Sequence, residues 1–255
     1  MRIFEEVLPK MFPDSKYGHR LPIGTMEVVD NFPYKALRDY YEAWYRPDQQ
    51  GIIVVGDIDV DRIEKKIIEM FSPIEMPANA PKREYLPVAD HKGTIYAIGK
   101  DKEQTNNMVQ FMFKTDVLPD SLKNTFAYYA QNYVASMITA MLDARFTEMM
   151  SNPDAPFAYA GASYGSILGV TKTKDAFTLV GVAKGGDIKP VIEAIYREGL
   201  RAKRGGFTAT EYARARSEYI SRLEKAYNDR NKQESNRYVN EYVRNFVDGD
   251  PIPGI

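Results

Sequence analysis

Apolar positions recur along this chain with two periods, and the switches between them mark its elements. Over 34–45, Leu37, Tyr40, Tyr41 and Trp44 share one face at helical spacing, and Arg46-Pro47-Asp48 ends that helix. Gly51-Ile52-Ile53-Val54-Val55-Gly56-Asp57 is short, β-branched and bounded by glycines, which predicts a buried strand. Asp59 or Asp61 can cap the helix that follows, with Glu64 three residues after Asp61 in capping-box spacing. Ile63, Ile67, Met70 and Phe71 form its apolar stripe, so a strand–helix unit is expected over 51–71.

Breaks in periodicity divide the rest. Pro9, Pro13, Pro22 and Pro33 with Gly18 and Gly24 make 9–33 read as an ordered loop region. Residues 72–88 carry four prolines, which disfavour helix and stiffen an extended path, so a domain boundary is placed there, with 76–88 as linker between 1–75 and 89–255. Beyond it, Thr94–Ile98 and Met108–Lys114 predict strands. Leu118-Pro119-Asp120 opens a long helical stretch to about Met150 that can break once. Phe157–Leu168 and Ala176–Ala183 alternate as antiparallel strands. A helix over 188–203 carries Ile188, Val191, Ile192, Ile195 and Leu200. Thr208 and Glu211 form a capping box for a charged helix towards Tyr227, and 231–247 is a last helix. The order β-β-α-β-β-α-α implies an α+β layered sandwich, helices on one face of a largely antiparallel sheet.

Composition narrows the chemistry. The 255 residues carry 34 Lys+Arg against 35 Asp+Glu, a net charge of -1, without the basic excess of a general nucleic-acid binder. With Cys 0 there are no disulfides, thiolate zinc sites, iron–sulfur clusters or cysteine nucleophiles, and either cytoplasm or periplasm fits. No apolar run is long enough to span a membrane, and Met1-Arg2-Ile3-Phe4-Glu5-Glu6 is not a signal peptide. The abrupt start and the Asp250-Pro251-Ile252-Pro253-Gly254-Ile255 end read as a piece of something longer.

No motif supplies a catalytic centre. Asp57-Ile58-Asp59-Val60-Asp61 resembles the start of a calcium loop, but Arg62 and Ile68 stand where Gly and Glu are needed. Gly51–Gly56 lacks the glycine spacing of a nucleotide-binding loop. His19 and His91 lie far apart, without a second ligand at helical spacing. Ser163 and Ser166 do not sit in a nucleophile elbow and have no base. Phe126, Tyr128, Tyr129 and Tyr133 could stack bases, yet read as core and interface without a basic excess.

Taken together, Trp44-Tyr45-Arg46-Pro47-Asp48, then Ile52-Ile53-Val54-Val55-Gly56-Asp57-Ile58-Asp59 and a helix ending in Met70-Phe71, resemble the M16 zinc peptidases of the insulinase/pitrilysin type. Leu21-Pro22-Ile23-Gly24-Thr25 is similar to a loop of that family, and the later element order matches its second domain. The resemblance implies that 1–75 is the end of the zinc-bearing α/β domain and 89–255 the following non-catalytic α+β domain. The family's His-x-x-Glu-His helix and distal Glu are absent here, so no catalytic, cofactor-binding or metal-ligating residue is assigned, Glu5 and Glu6 included. In the stretch matching the family's substrate-backbone Arg–Tyr pair, Arg145 to Ser151, the second arginine position falls on about Ser151, and Tyr159 matches the tyrosine with one residue of offset.

What the resemblance implies is a segment of a zinc metalloendopeptidase that hydrolyses peptides in an enclosed chamber, with zinc in the parent and none bound by this segment. It would form chamber wall and scaffold, partnered by peptide substrate and the other half of a clamshell, with no nucleic acid and no membrane span, and periplasmic with the cytoplasm open. A non-catalytic homologue serving as a peptide-binding or assembly scaffold is the alternative, and an unrelated α+β interaction domain the third reading.

Overall fold

The computed structural model describes residues 2–252; Met1 and the expected chain end Pro253-Gly254-Ile255 lie outside them. Helices α1 (Arg2–Met11), α2 (Met26–Asn31), α3 (Tyr34–Trp44) and α4 (Val60–Phe71) precede strand β1 (Met108–Asp116). Then come α5 (Phe126–Met150), β2 (Phe157–Ser166), β3 (Lys174–Ala183), α6 (Lys189–Gly205), α7 (Ala209–Asn228) and α8 (Ser235–Asp248). Two compact units result. One joins the chain up to Leu21 with Tyr85–Lys225; the other joins Pro22–Glu84 with the chain from Ala226.

The first unit is an α+β layer built on one sheet. Its strand order is β1-β3-β2, with β3 antiparallel to both neighbours. Alternation along β3 sends Leu179 and Ala183 to one face, where they pack with Leu142 and Phe146 of α5 and Val191 and Ile195 of α6. Two glycines set how closely α6 lies on β3. A Cβ on Gly181 would stand 2.6 Å from Val191 Cγ1, and one on Gly199 would stand 2.6 Å from Leu179 Cδ1. Only a bare Cα allows that approach. On the reverse face Ala176 meets Leu8, Phe12, Val88 and Ile167, so the expected one-sided layering holds for α5 and α6 while α1 covers part of the other side.

Caps decide several helix starts. Asp59, rather than Asp61, caps α4 by accepting the Arg62 N–H at 3.0 Å. Thr208 and Glu211 close a reciprocal box: Glu211 N–H donates to Thr208 Oγ1 at 3.2 Å and Thr208 N–H to Glu211 Oε2 at 2.6 Å. The expected break in the long helix falls before Phe126, where the short 3-10 turn Asp120–Leu122 gives way to α5, capped by Thr125. Within 9–33, expected as loop, Thr25 caps α2 through the Val28 N–H, and α1 continues past Pro9 to Met11.

Two expected strands are corrected. Residues 51–57 join no ladder and bend at Gly56-Asp57, and Ile52 and Val54 are each 47% exposed rather than buried. Thr94–Ile98 is likewise unpaired, with Tyr96 and Ile98 exposed. Strandhood needs a neighbour's N–H and C=O groups, and neither segment has a pairing strand among the described residues.

Candidate functional site

The second unit exposes several large apolar side chains. Leu37, Tyr40 and Tyr41 on α3 are exposed, as are Val60, Ile68 and Met70 on α4. The start of the 51–57 segment meets α8 within the unit, since a Cβ on Gly51 would lie 3.2 Å from the Phe246 ring. Arg46 holds the Pro-rich segment in place. Its guanidinium is buried and donates to Ala43 O at 2.8 Å, Pro81 O at 2.5 Å and Asp48 Oδ1 at 2.7 Å, so each of its three nitrogens is engaged.

The first unit holds a buried charge centre. Arg145 lies on the face of α5 that carries Leu142 and Phe146, and it is 8% exposed. It donates from Nη1 to Glu198 Oε1 at 2.9 Å, from Nε to Glu211 Oε1 at 2.5 Å and from Nη2 to Gly206 O at 3.1 Å. The Phe207 ring lies 4.6 Å from its guanidinium carbon. With Arg145 and the Thr208 N–H donating to it, the Glu211 carboxyl is held down at about 2. Arg145 is thereby committed to joining α5, α6 and the start of α7. Tyr159 is exposed on β2, and Ser151 Oγ donates back to Thr147 O at 3.1 Å.

Beside that centre a cleft of about 480 Å³ opens on the helix-covered face. Its floor is Phe113, Phe177 and Leu179, its walls include Ile138 and Leu142 of α5, and Phe207 bounds it. The helices leave it open because each docks on its own strand. Gly181 and Gly199 draw α6 onto β3, while Asp143 of α5 reaches the edge strand β2, where Oδ1 accepts the Ala162 N–H at 2.7 Å. Burial pushes the Asp143 carboxyl up, opposed by that hydrogen bond.

The other residues singled out by sequence are scattered. His19 Nε2 faces Pro13 O at 3.3 Å, and His91 borders a cavity of about 40 Å³ with Asp14, Asp90 and Lys114. Asp90 and Asp116 pair with Lys174 at 2.8 and 2.5 Å. Glu6 accepts from Lys10 Nζ and the Lys100 N–H. Ser163 and Ser166 sit on β2 opposite Thr178 and Asp175, and the Tyr133 hydroxyl meets that of Tyr212 at 2.9 Å, while Phe126 is exposed. Among the described residues no group of three or more His, Asp or Glu side chains could hold a metal ion, and no helix is long and apolar enough to cross a membrane. Sequence reasoning missed Glu198 and the cleft. The signal for Glu198 was available: it follows Val191 and Ile195 on the buried stripe of α6.

Comparison with known proteins agrees with this architecture. The family model described as "Peptidase M16 inactive domain" matches residues 31–219. The chain is 24% identical over 246 residues to "Zinc protease PQQL-like" of Arabidopsis thaliana, covering 96% of this chain and 22% of that protein. In three dimensions it is similar to the first half of the periplasmic protease PqqL from Escherichia coli, with TM-score 0.83, 20% identity, and coverage of 98% of this chain and 52% of that one. The ferredoxin protease FusC, solved in complex with Arabidopsis ferredoxin, is similar at TM-score 0.73 and 20% identity, over 99% of this chain and 28% of that one. The chain spans about a quarter or less of the length of the curated relatives it matches.

Proposed function

Because the chain belongs to the peptidase M16 inactive-domain family, we propose that it is a non-catalytic wall and scaffold segment of a zinc-dependent metalloendopeptidase. In this reading 1–75 closes the zinc-bearing domain, 76–88 links, and 89–255 forms the second domain. The family match over 31–219 carries the reading. Two features of the chain support it. Ile52 and Val54 stand unpaired and half exposed, as a strand does whose sheet is completed by other parts of a parent protein. Arg145, the one buried cation of the second-domain helix α5, is neutralised by Glu198 and Glu211 and holds helices together rather than facing a substrate.

The zinc of the parent has no home among the described residues. A catalytic zinc takes three protein ligands, usually His with Glu or Asp, and His19 and His91 converge neither on each other nor on a carboxylate group of the required size. The metal, its activated water and the general base therefore belong to other parts of the parent. This chain's share is to position the peptide-enclosing wall, together with the other half of the clamshell, in a periplasmic enzyme acting on peptide or unfolded polypeptide.

Zinc content and peptide hydrolysis, measured on the full-length parent beside this chain, test the reading. About one zinc per parent and none here, with activity only in the parent, is the expected result. No zinc in either removes the peptidase assignment and leaves an assembly or peptide-binding scaffold; tight stoichiometric zinc on this chain alone overturns the scaffold assignment.

A further inference from the structure

We propose that the cleft between α5 and α6 binds a single-chain fatty carboxylate, its chain against Phe177 and Leu179 and its head group on Lys203. The volume, about 480 Å³, lies within the ~300–1,000 Å³ of small-molecule sites. Its lining is carbon: Phe113, Phe177 and Leu179 below, Ile138 and Leu142 on one side, Tyr196 and Leu200 on the other. Phe113 and Tyr196 are 49% and 45% exposed, so apolar surface lies in water here unless something covers it.

The chemistry of the walls selects the occupant. They come from the faces of helices and of a sheet whose free N–H and C=O groups lie along the outer edge of β1, in the plane of the sheet and off the face that lines the cleft. A peptide lying there would bury amides without partners. An acyl chain has no such groups. One charge marks the rim. Of the cations near the cleft, Arg145 is held by Glu198 and Glu211, and Arg201 lies 3.2 Å from Glu198. Lys203 lines the cleft and has no ion-pair partner among the described residues. A long apolar body with one anionic end is what that arrangement complements.

The test is calorimetric titration of the 255-residue chain with decanoate, kept below its micelle concentration, and with 1-decanol as the uncharged match. Saturable binding of about one decanoate per chain is expected. The exposed change K203E should weaken decanoate by about tenfold or more, the scale of one charge-assisted contact, and leave decanol unchanged. A202F, which fills the cleft, should abolish both. Absence of saturable decanoate binding overturns the proposal, as does binding that A202F leaves intact. If A202F fails to fold, the comparison of decanoate with decanol on K203E decides alone: equal effects on the two ligands overturn the Lys203 contact.

Discussion

Arg145 Nη1 donates to Glu198 Oε1 at 2.9 Å across the α5–α6 contact, with both residues less than a tenth exposed. The pair ties the helix covering β2 to the helix covering β3, so its worth is in fixing their mutual placement. Removing Arg145 leaves the buried Glu198 uncompensated, whereas Arg145 keeps Glu211 and Gly206 O when Glu198 is removed. Arg145→Ala is expected to cost about 3–5 kcal/mol in urea unfolding of this chain, and Glu198→Ala less. The double variant should cost clearly less than the sum, because Glu198 is then no longer stranded. Additive losses would show that the pair is not coupled.

Glu211 sets an acid limb on stability. Its folded carboxyl is held at about 2, against an ordinary value of 4.5. A depressed carboxylate contributes stability that is fully present above 4.5 and lost as pH falls towards 2. Glu211→Gln should therefore lower the melting temperature at pH 7 and flatten the decline between pH 4.5 and 2. An unchanged slope in that window would contradict the Arg145 and Thr208 contacts as its source.

Much of this architecture was legible in the sequence, and the pattern of success is physical. Helices α4, α6 and α7 follow from local information: a stripe at 3.6 spacing plus a cap such as Asp59 or Thr208–Glu211. The β-branched run at 51–57 reports only a preference for burial. Whether it pairs depends on strands far away in sequence, and none among the described residues does so. Helix α2 hid among prolines because its cap, Thr25, precedes just six helical residues with no stripe to read. The cleft could not be read at all. It arises from how closely α6 and α5 approach different strands, and spacing along one chain does not encode a gap between two helices.

Asp143 carries the opposite sign to Glu211. Burial holds its folded carboxyl above the ordinary 3.8, so the folded state keeps the proton to higher pH than the unfolded chain. Its contribution to stability thus falls as pH rises above 3.8. Asp143→Asn keeps an oxygen for the Ala162 N–H and removes the charge. Its expected effect is a small gain at pH 7 that fades as pH falls towards 3.8. Asp143→Ala also removes the acceptor for the edge strand and should instead cost about 0.5–1.5 kcal/mol. Chemical denaturation of the two variants side by side checks the ordering, and an alanine variant as stable as the asparagine one would refute the role of that hydrogen bond.

Gly181 is the position where the sheet admits a helix at closest range. An added methyl would stand 2.6 Å from Val191 Cγ1 and 3.2 Å from Ile195 Cδ1, and both neighbours are fully buried in the core. Neither β-branched side chain can swing away from a packed strand, so α6 must lift. Gly181→Ala is expected to destabilise by about 1–3 kcal/mol despite the gain in strand preference. Val191→Ala alone should also cost, by leaving a void. Combined with Gly181→Ala, however, it supplies the room that the new methyl needs, so the double variant should be more stable than the two separate losses sum to. Thermal unfolding of the four proteins measures this coupling. A Gly181→Ala protein as stable as the parent chain would mean that α6 does not rest on β3 at this distance.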